Sequence, residues 1–448
     1  MCNDLIMKTK LTRRERFIIG ITLFGLFFGA GNLIFPIHLG QLAGRNVIVS
    51  TIGFIITGVT IPILSVAAIG ITHSRGLQDM CNKKVGKGFG YVFTCLLYLT
   101  IGPFFAIPRC CTTTFTTGVF PLLNDVNEGL ALLIFSFIFF SLVLFFSLKP
   151  NEITTWVGRI ITPCFLVLLA VLVIASLAHP GARIATVDPV ESYNTGYFFS
   201  GVLEGYNTMD AIAGLAFGII VVNCVKDFGV EKDEDIATET IKSGIIAAIF
   251  MSVIYFATTI LGAQSRGLFE VSENGGIAFA EVANHYLGTP GLIILAFTIG
   301  FACLKTAIGL VTSCAKTFAK MFDNKLSYNA WAIIFSIFSF AISNVGLTTI
   351  INYSVPMLML LYPIAIVLII LCMFSKLIRG KTIYRATLIG ASFAAIIDFI
   401  RTLPFGIDVS FMAKFLPLYD VGFSWLVPSL IGLMIGIGLS RKNNVSKR

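Results

Sequence analysis

Long apolar runs are the feature that most constrains how this chain folds. Most of them are roughly 18 to 30 residues long, enough for a helix to cross a hydrocarbon core of about 30 Å. Only 12% of the residues are charged, about half the share found in soluble domains. Backbone groups in lipid must bond to one another, and the alternating pattern of barrel strands is absent. The sequence therefore predicts an all-α polytopic membrane protein.

About twelve transmembrane helices are predicted from these runs. Their approximate bounds are 16–36, 47–72, 88–118, 130–147, 153–178, 193–222, 241–263, 290–315, 328–345, 349–374, 385–402 and 420–440. The basic stretch KTKLTRRER precedes the first run, and no small-residue cleavage site follows it. This favours an uncleaved first span over a removable signal peptide.

The net charge of +9 is distributed unevenly among the predicted loops. Of the 32 lysines and arginines, 25 lie in one alternate set of loops and termini and 5 lie in the other, while Arg109 and Lys305 lie inside spans. Lysine and arginine concentrate on the cytoplasmic side of a membrane. We therefore expect a multi-pass cell-membrane protein with both termini in the cytoplasm. Its partners are membrane lipid and a small-molecule substrate, and nucleic acid is not expected.

A single transporter domain, 1–448, is predicted to contain two five-helix repeats. The first repeat covers 16–178 and the second covers 193–374, and an odd number of spans per repeat inverts the second in the membrane. Each repeat opens with an apolar segment interrupted by glycine and polar residues, which is the best sequence indication of a transporter site. Two accessory helices, 385–440, follow the repeats.

The first interrupted segment is FGLFFGAGNLIFP, residues 24–36. Gly25 and Gly29 are spaced for close helix packing, but that does not explain Gly31-Asn32 followed by Pro36, which disfavour a continuous helix. We expect unwinding near Gly29 to Asn32. The amides that begin the second half-helix would then hold a carboxylate, and the carbonyls that end the first would suit a cation.

The second interrupted segment is FFSGVLEGYNTMD, residues 198–210. Glu204 and Asp210 are costly inside an apolar segment and are usually functional there, although Asp210 is also typical of a helix start. Gly201 and Gly205 permit unwinding. Together with Phe27, Phe28 and Leu203, the side chains of Tyr206 and Met209 would form an apolar wall.

Glu204 needs a partner, and the sequence offers two. Arg109 follows the irregular stretch IGPFFAIP, and Lys305 lies near the middle of the eighth predicted span. A lysine at that depth should face the protein interior, where it is paired or titrates. The connector 264–289 contains GGIAFAEVANHYLG and is interpreted either as an external gate element or as a surface helix.

Four motifs resemble those of the branched-chain amino acid carrier family, the system II carriers: GLFFGAGNLIFP, IGPFFAIPR, EGYNTMDAIAGLAFG and ACLKTAIGL. The resemblance extends over almost the whole chain. It implies the leucine-transporter fold, a five-helix inverted repeat with broken first and sixth helices. It also implies import of leucine, isoleucine and valine by alternating access, usually driven by sodium.

The resemblance implies particular site residues. The amides of Ala30 and Gly31 would receive the substrate carboxylate, and carbonyls of the first break would face span eight across a cation site. The substrate-binding residues are predicted to be Phe28, Gly29, Ala30, Gly31, Asn32, Leu203, Glu204, Gly205, Tyr206 and Met209. The coupling residues are predicted to be Gly25, Phe28, Ala302, Lys305 and Thr306, with a sodium ion at Gly25, Phe28, Ala302 and Thr306.

The chain departs from the family's sodium-coupled relatives at Lys305-Thr306. Those relatives supply two adjacent hydroxyls from span eight, whereas here an amine replaces one of them. A protonated lysine only donates hydrogen bonds and repels sodium. The hypothesis is a sodium-independent carrier that is coupled to protons through Lys305, or a facilitator or exchanger.

Other classes of protein fit less well. No motif of a hydrolase, nucleotide-binding enzyme or cysteine nucleophile is visible, and no channel filter or charged ring is evident. The chain is therefore predicted not to be an enzyme and to need no cofactor beyond Na+ or H+ as the coupling ion. An amino-acid sensor and a carrier for another neutral amino acid remain as alternatives.

Overall fold

A computed structural model describes residues 9–29, 31–123, 125–148, 167, 169–230, 232–378 and 380–445. These residues form helices and connecting segments, and they contain no extended strand. The helices are α1 (Arg13–Phe27), α2 (Gly31–Ala43), α3 (Val47–Ile55), α4 (Ile61–Ile71), α5 (Leu77–Lys84), α6 (Lys87–Leu99), α7 (Ala106–Thr114), α8 (Glu128–Ser147), α9 (Leu169–Ala178), α10 (Tyr197–Glu204), α11 (Asp210–Asp227), α12 (Asp233–Ser265), α13 (Gly275–Met321), α14 (Tyr328–Ser343), α15 (Leu347–Met373), α16 (Lys381–Thr402) and α17 (Leu426–Val445).

Seven helical stretches in the described part of the chain are long and apolar enough to cross a membrane. The number is eight if the bent pair Tyr197–Thr208 and Asp210–Asp227 forms one span. Shorter apolar helices such as α14, with 16 residues, fall below that length. Most of the fifth predicted span, 153–178, lies outside the described residues. The protein is thus all-helical and multi-pass, while the count of twelve spans and the inverted repeat stay predictions.

Two π-helical turns and a kink interrupt the third predicted span. Residues 100–104 form the first of these turns, and Gly102 has non-helical angles (φ −97°, ψ −124°) before α7 begins. Pro103 lies within this turn, as the irregular helix predicted there requires. All nine residues of α7, which carries Arg109, are buried.

Three close helix contacts at α2 each depend on a missing side chain. A methyl group on Gly40 would lie 2.0 Å from the Thr259 carbonyl oxygen, and one on Gly262 would lie 2.0 Å from that of Ile37. A methyl group on Gly275 would lie 1.6 Å from the Ile34 carbonyl oxygen. These glycines let α12 and the start of α13 approach the backbone of α2.

The connector before the eighth predicted span contains a helical segment, residues 275–287, which ends at a kink at Gly288 (φ 60°). Its apolar side chains Phe279 and Val282 are fully buried, and its first residue touches α2. Together with Thr116 and Thr348, this segment also lines a cavity of about 500 Å³. The segment is therefore packed into the protein and is not a surface helix, while its role as a gate stays a prediction.

An ion-pair cluster holds the N-terminal end of α1 against α12. Glu239 of α12 is 1% exposed, and its Oε2 accepts a hydrogen bond from Arg16 Nε at 2.5 Å. Lys242 Nζ lies 3.0 Å from the other carboxylate oxygen, and the Leu11 amide donates to Oε2. A buried carboxylate is stable only with such partners, so the cluster fixes the start of α1 against α12.

Candidate substrate and coupling site

The first break lies between α1 and α2. Phe28 leaves the helical conformation (φ −71°, ψ 104°) and α2 begins at Gly31, so Gly31 and Asn32 are already helical. The break is therefore a few residues earlier than predicted, and Ala30 lies outside the described residues. Pro36 lies inside α2 and not at its end. Because proline has no N–H, the Asn32 carbonyl lacks its usual intrahelical donor.

The Asn32 side chain connects this break to two other helices. Its Oδ1 accepts a hydrogen bond from the Gly29 amide at 2.9 Å. Its Nδ2 donates to Asp210 Oδ2 and to the Tyr255 hydroxyl, each at 2.5 Å. All three side chains are at most 3% exposed. One amide thus binds the first break, the start of α11 and the middle of α12 together.

The second break lies between α10 and α11. A single 3-10 turn, Gly205–Thr208, follows α10, and Met209 then adopts a left-handed conformation (φ 64°). The two helical segments meet at 44°. The break occupies the end of the predicted range, and its strained residue is a methionine rather than a glycine.

Gly201 and Gly205 both permit close packing against the second predicted span. A methyl group on Gly201 would lie 2.0 Å from the Ser50 carbonyl oxygen, and one on Gly205 would lie 2.1 Å from Thr57 Oγ1. Gly201 lies within continuous α10 and not at the unwinding, whereas Gly205 is the first residue of the 3-10 turn at the break.

Arg109 lies between the two breaks and is 4% exposed. Its Nη1 donates to the Asn207 carbonyl oxygen in the 3-10 turn at 2.7 Å. Its Nη2 would be 3.0 Å from a methyl group on Gly31, the first residue of α2, and its guanidinium lies 5.1 Å from the centre of the Phe35 ring. A helix N-terminus is itself electropositive, so a buried guanidinium beside it creates a site that favours an anion.

Lys305 and Thr306 of α13 lie against the first break from the other side. A methyl group on Gly25 would be 3.8 Å from Lys305 Nζ, and one on Gly29 would be 3.5 Å from Thr306 Oγ1. The Thr306 hydroxyl donates to the Ala302 carbonyl oxygen at 3.0 Å. The predicted coupling residues of α1 and α13 are therefore neighbours, and the structure describes no ion pair for Lys305.

Glu204 ends α10, is half-buried and forms an ion pair with neither Arg109 nor Lys305. The pairing considered from the sequence is therefore not present. The Leu203 side chain packs against the segment between α16 and α17, since a methyl group on Gly422 would lie 2.7 Å from its Cδ1.

The apolar residues predicted at the breaks are mostly buried. Tyr206 is 1% exposed and stacks on Tyr362 of α15, with ring centres 4.2 Å apart. Met209 is 2% exposed, and the Phe28 ring stacks on Phe24 at 4.9 Å.

Three partners at the site were not predicted: Asn207, Tyr255 and Tyr362. Tyr255 lies in the apolar stretch MSVIYFATT. A hydroxyl-bearing side chain among apolar residues was the sequence signal that could have indicated a buried hydrogen bond there. Asn207 acts through its backbone carbonyl, which no side-chain pattern reveals.

Comparison with solved structures places the fold. The chain aligns with Mhp1, a nucleobase-cation-symport-1 family transporter, in its inward-facing conformation with a TM-score of 0.65, covering 96% of this chain and 91% of that one at 14% identity. It aligns with MhsT in complex with L-phenylalanine with a TM-score of 0.57, covering 96% and 98% at 15% identity. At these identities the likeness shows a shared fold, the leucine-transporter fold.

Sequence comparison is more specific. The model of the family described as "Branched-chain amino acid transport protein" matches residues 12–443. The chain is 49% identical to the branched-chain amino acid permease BrnQ of Lactobacillus delbrueckii subsp. lactis, covering 99% of this chain and all of that one. It is 42% identical to the branched-chain amino acid permease BraB of Bacillus subtilis (strain 168), covering 97% of each. The chain therefore belongs to the branched-chain amino acid transport protein family, whose members are transporters and not enzymes.

Proposed function

We propose that this protein imports leucine, isoleucine and valine across the cytoplasmic membrane by alternating access, with both termini in the cytoplasm. The observation that carries the proposal is the position of Arg109. Its guanidinium meets the N-terminus of α2 at the first break, where both groups attract a carboxylate. The names of the relatives, branched-chain amino acid permeases, support the same substrate class.

The rest of the proposed site suits an apolar side chain. Phe28, Tyr206 and Met209 at the breaks offer aromatic and thioether surface. A zwitterionic amino acid would bind with its carboxylate at Arg109 and its ammonium toward the carbonyls that end α1, where the helix dipole is negative. The branched side chain would then fill the apolar part of the site.

We further propose that transport does not require sodium. Lys305 Nζ is near Gly25, a residue whose carbonyl was expected to ligate sodium, and a fixed ammonium there would compete with that ion. Thr306 supplies only one hydroxyl, already bonded to Ala302. The Lys305 ammonium would then make permanently the contacts that sodium makes in sodium-coupled members of this fold.

A competition series tests the substrate class. In proteoliposomes that contain the purified protein, unlabelled leucine, isoleucine and valine are expected to inhibit uptake of labelled leucine at similar concentrations. Alanine is expected to need at least about tenfold more, because each methylene lost from an apolar site costs about 1–3 kcal/mol. Equal inhibition by alanine, methionine, phenylalanine and the branched trio would contradict the assignment. Binding of leucine without any passage into the vesicles would indicate a sensor instead.

A further inference from the structure

Asp210 is a buried carboxylate to which the proposed carboxylate site assigns no role. It is the first residue of α11 and is 3% exposed. No described lysine or arginine forms an ion pair with it. Burying an unpaired carboxylate in this way is costly, and such groups inside a membrane protein are usually functional.

The groups around Asp210 are mostly neutral. Oδ2 accepts a hydrogen bond from Asn32 Nδ2 at 2.5 Å, and the Tyr255 hydroxyl lies 3.5 Å away. The titratable groups that face it are Tyr255 of α12, Tyr362 of α15 and Arg109 of α7. The helix α4, which also packs against α11, has no titratable residue.

Among the described residues, Arg109 is the cation that faces Asp210, and its position links the two sites. Its Nη1 is bonded to the Asn207 carbonyl rather than to Asp210, and its Nη2 points to the start of α2. A substrate carboxylate at the start of α2 would occupy the space beside Arg109 and next to Asn32, which is itself bonded to Asp210. The substrate carboxylate and Asp210 would then both lie near one guanidinium.

We propose that Asp210 takes up the proton that accompanies the amino acid. The proposal rests on the proposed carboxylate site at Arg109. Like charges that share a site cannot both remain ionised, so binding of the substrate carboxylate favours the neutral acid at Asp210. The step is one protonation: the Asp210 carboxylate and one proton from water give the carboxylic acid, and release of the substrate returns the proton.

The geometry favours a proton over a metal ion in this position. The Asn32 amide approaches both Asp210 Oδ2 and the Tyr255 hydroxyl to 2.5 Å with its N–H groups, while its carbonyl oxygen points to the Gly29 amide. Because the Asn32 NH2 group already lies 2.5 Å from both oxygens, a metal ion bound to them would have to displace it. A proton on the other carboxylate oxygen needs no such displacement.

Proton-linked binding of leucine tests the proposal on the full purified chain. In wild-type protein, binding of labelled leucine is expected to weaken as the pH rises. Its Kd should increase by up to about tenfold per pH unit, the limit for one linked proton. By reciprocity, addition of leucine in weakly buffered solution should take up about one proton per molecule bound, as read with a pH-indicator dye.

Variants assign that proton to a residue. Asp210→Asn removes the titrating group and is expected to abolish proton uptake and flatten the pH dependence of Kd, whereas Asp210→Glu is expected to retain both. Asp398→Asn is the control for loss of a buried carboxylate, because Asp398 is also buried, lies in α16, is hydrogen-bonded to Ser424 and is paired with Arg401. It should keep the wild-type pH dependence.

The outcomes separate this proposal from the function on which it rests. Leucine binding by wild-type protein without proton uptake overturns the role of Asp210 and leaves the substrate assignment intact. Proton uptake that persists in Asp210→Asn, or is lost in Asp210→Glu, overturns it as well. If wild-type protein binds none of the branched-chain amino acids, the proposed function itself fails. Should Asp210→Asn not fold, the wild-type and Asp210→Glu measurements still decide.

Discussion

Replacement of Arg109 by glutamine is expected to weaken leucine binding by at least about thirtyfold. Truncating one partner of a buried, hydrogen-bonded charge pair costs about 2–5 kcal/mol, and the guanidinium of Arg109 is the described cation at the start of α2. Glutamine keeps part of the side-chain length but loses the charge and the planar fork. Binding of labelled leucine to the purified protein measures the change in Kd.

A second arginine of the chain supplies the control. Arg401 of α16 also donates to a backbone carbonyl, that of Tyr419, and its guanidinium lies 4.5 Å from the centre of the Tyr419 ring. Arg401→Gln removes a carbonyl hydrogen bond, a ring contact and an ion pair with Asp398 without changing the start of α2, so leucine should bind to that variant with a wild-type Kd. Equal Kd values for Arg109→Gln and wild type would exclude the guanidinium from the carboxylate site.

Replacement of Lys305 by threonine is expected to make leucine uptake depend on sodium. The substitution restores two adjacent hydroxyls on α13 and removes the ammonium beside Gly25, so a sodium ion gains a ligand and loses a competing charge. Wild-type uptake into proteoliposomes should be the same with a sodium gradient or a potassium gradient. The variant should take up leucine at least about tenfold faster with a sodium gradient than with a potassium gradient. A tenfold effect corresponds to about 1.4 kcal/mol of ion-binding free energy.

Lys316→Thr is the control for this prediction. Lys316 is exposed on the same helix and is likewise followed by a threonine, so its replacement makes the same chemical change away from the first break. Its uptake should remain independent of sodium. Strong sodium stimulation of wild-type protein that is unchanged in Lys305→Thr would contradict the role of the ammonium.

The positions of the two breaks could be read from the sequence because lipid makes their composition conspicuous. Glycine, asparagine and carboxylates inside apolar runs are costly unless they line a site, so Gly31-Asn32 and Glu204 to Asp210 stood out. The neighbours across the bundle were harder to infer. That Lys305 faces Gly25 followed only from the family resemblance, since no local pattern relates α13 to α1.

Other features depended on packing that no local pattern encodes. Gly201 and Gly205 look like hinge residues, yet the approach of the second span decides their role, and the left-handed residue is Met209. Pro36 reads as a helix stop, but α2 accommodates it because tertiary contacts hold the helix on both sides. The pairing of Glu204 also failed, because the packing at the end of α10 places neither Arg109 nor Lys305 within ion-pair distance of that carboxylate.

Counterflow with leucinol tests the central claim most directly. Leucinol keeps the branched side chain and the ammonium of leucine but has no carboxylate, so it lacks the group proposed to bind at Arg109 and the start of α2. Proteoliposomes preloaded with leucine, isoleucine or valine and held without ion gradients should accumulate labelled leucine, whereas vesicles preloaded with leucinol should not. Equal accumulation with leucinol inside would contradict carboxylate recognition at the break, and no accumulation with any branched-chain amino acid would contradict transport of this class.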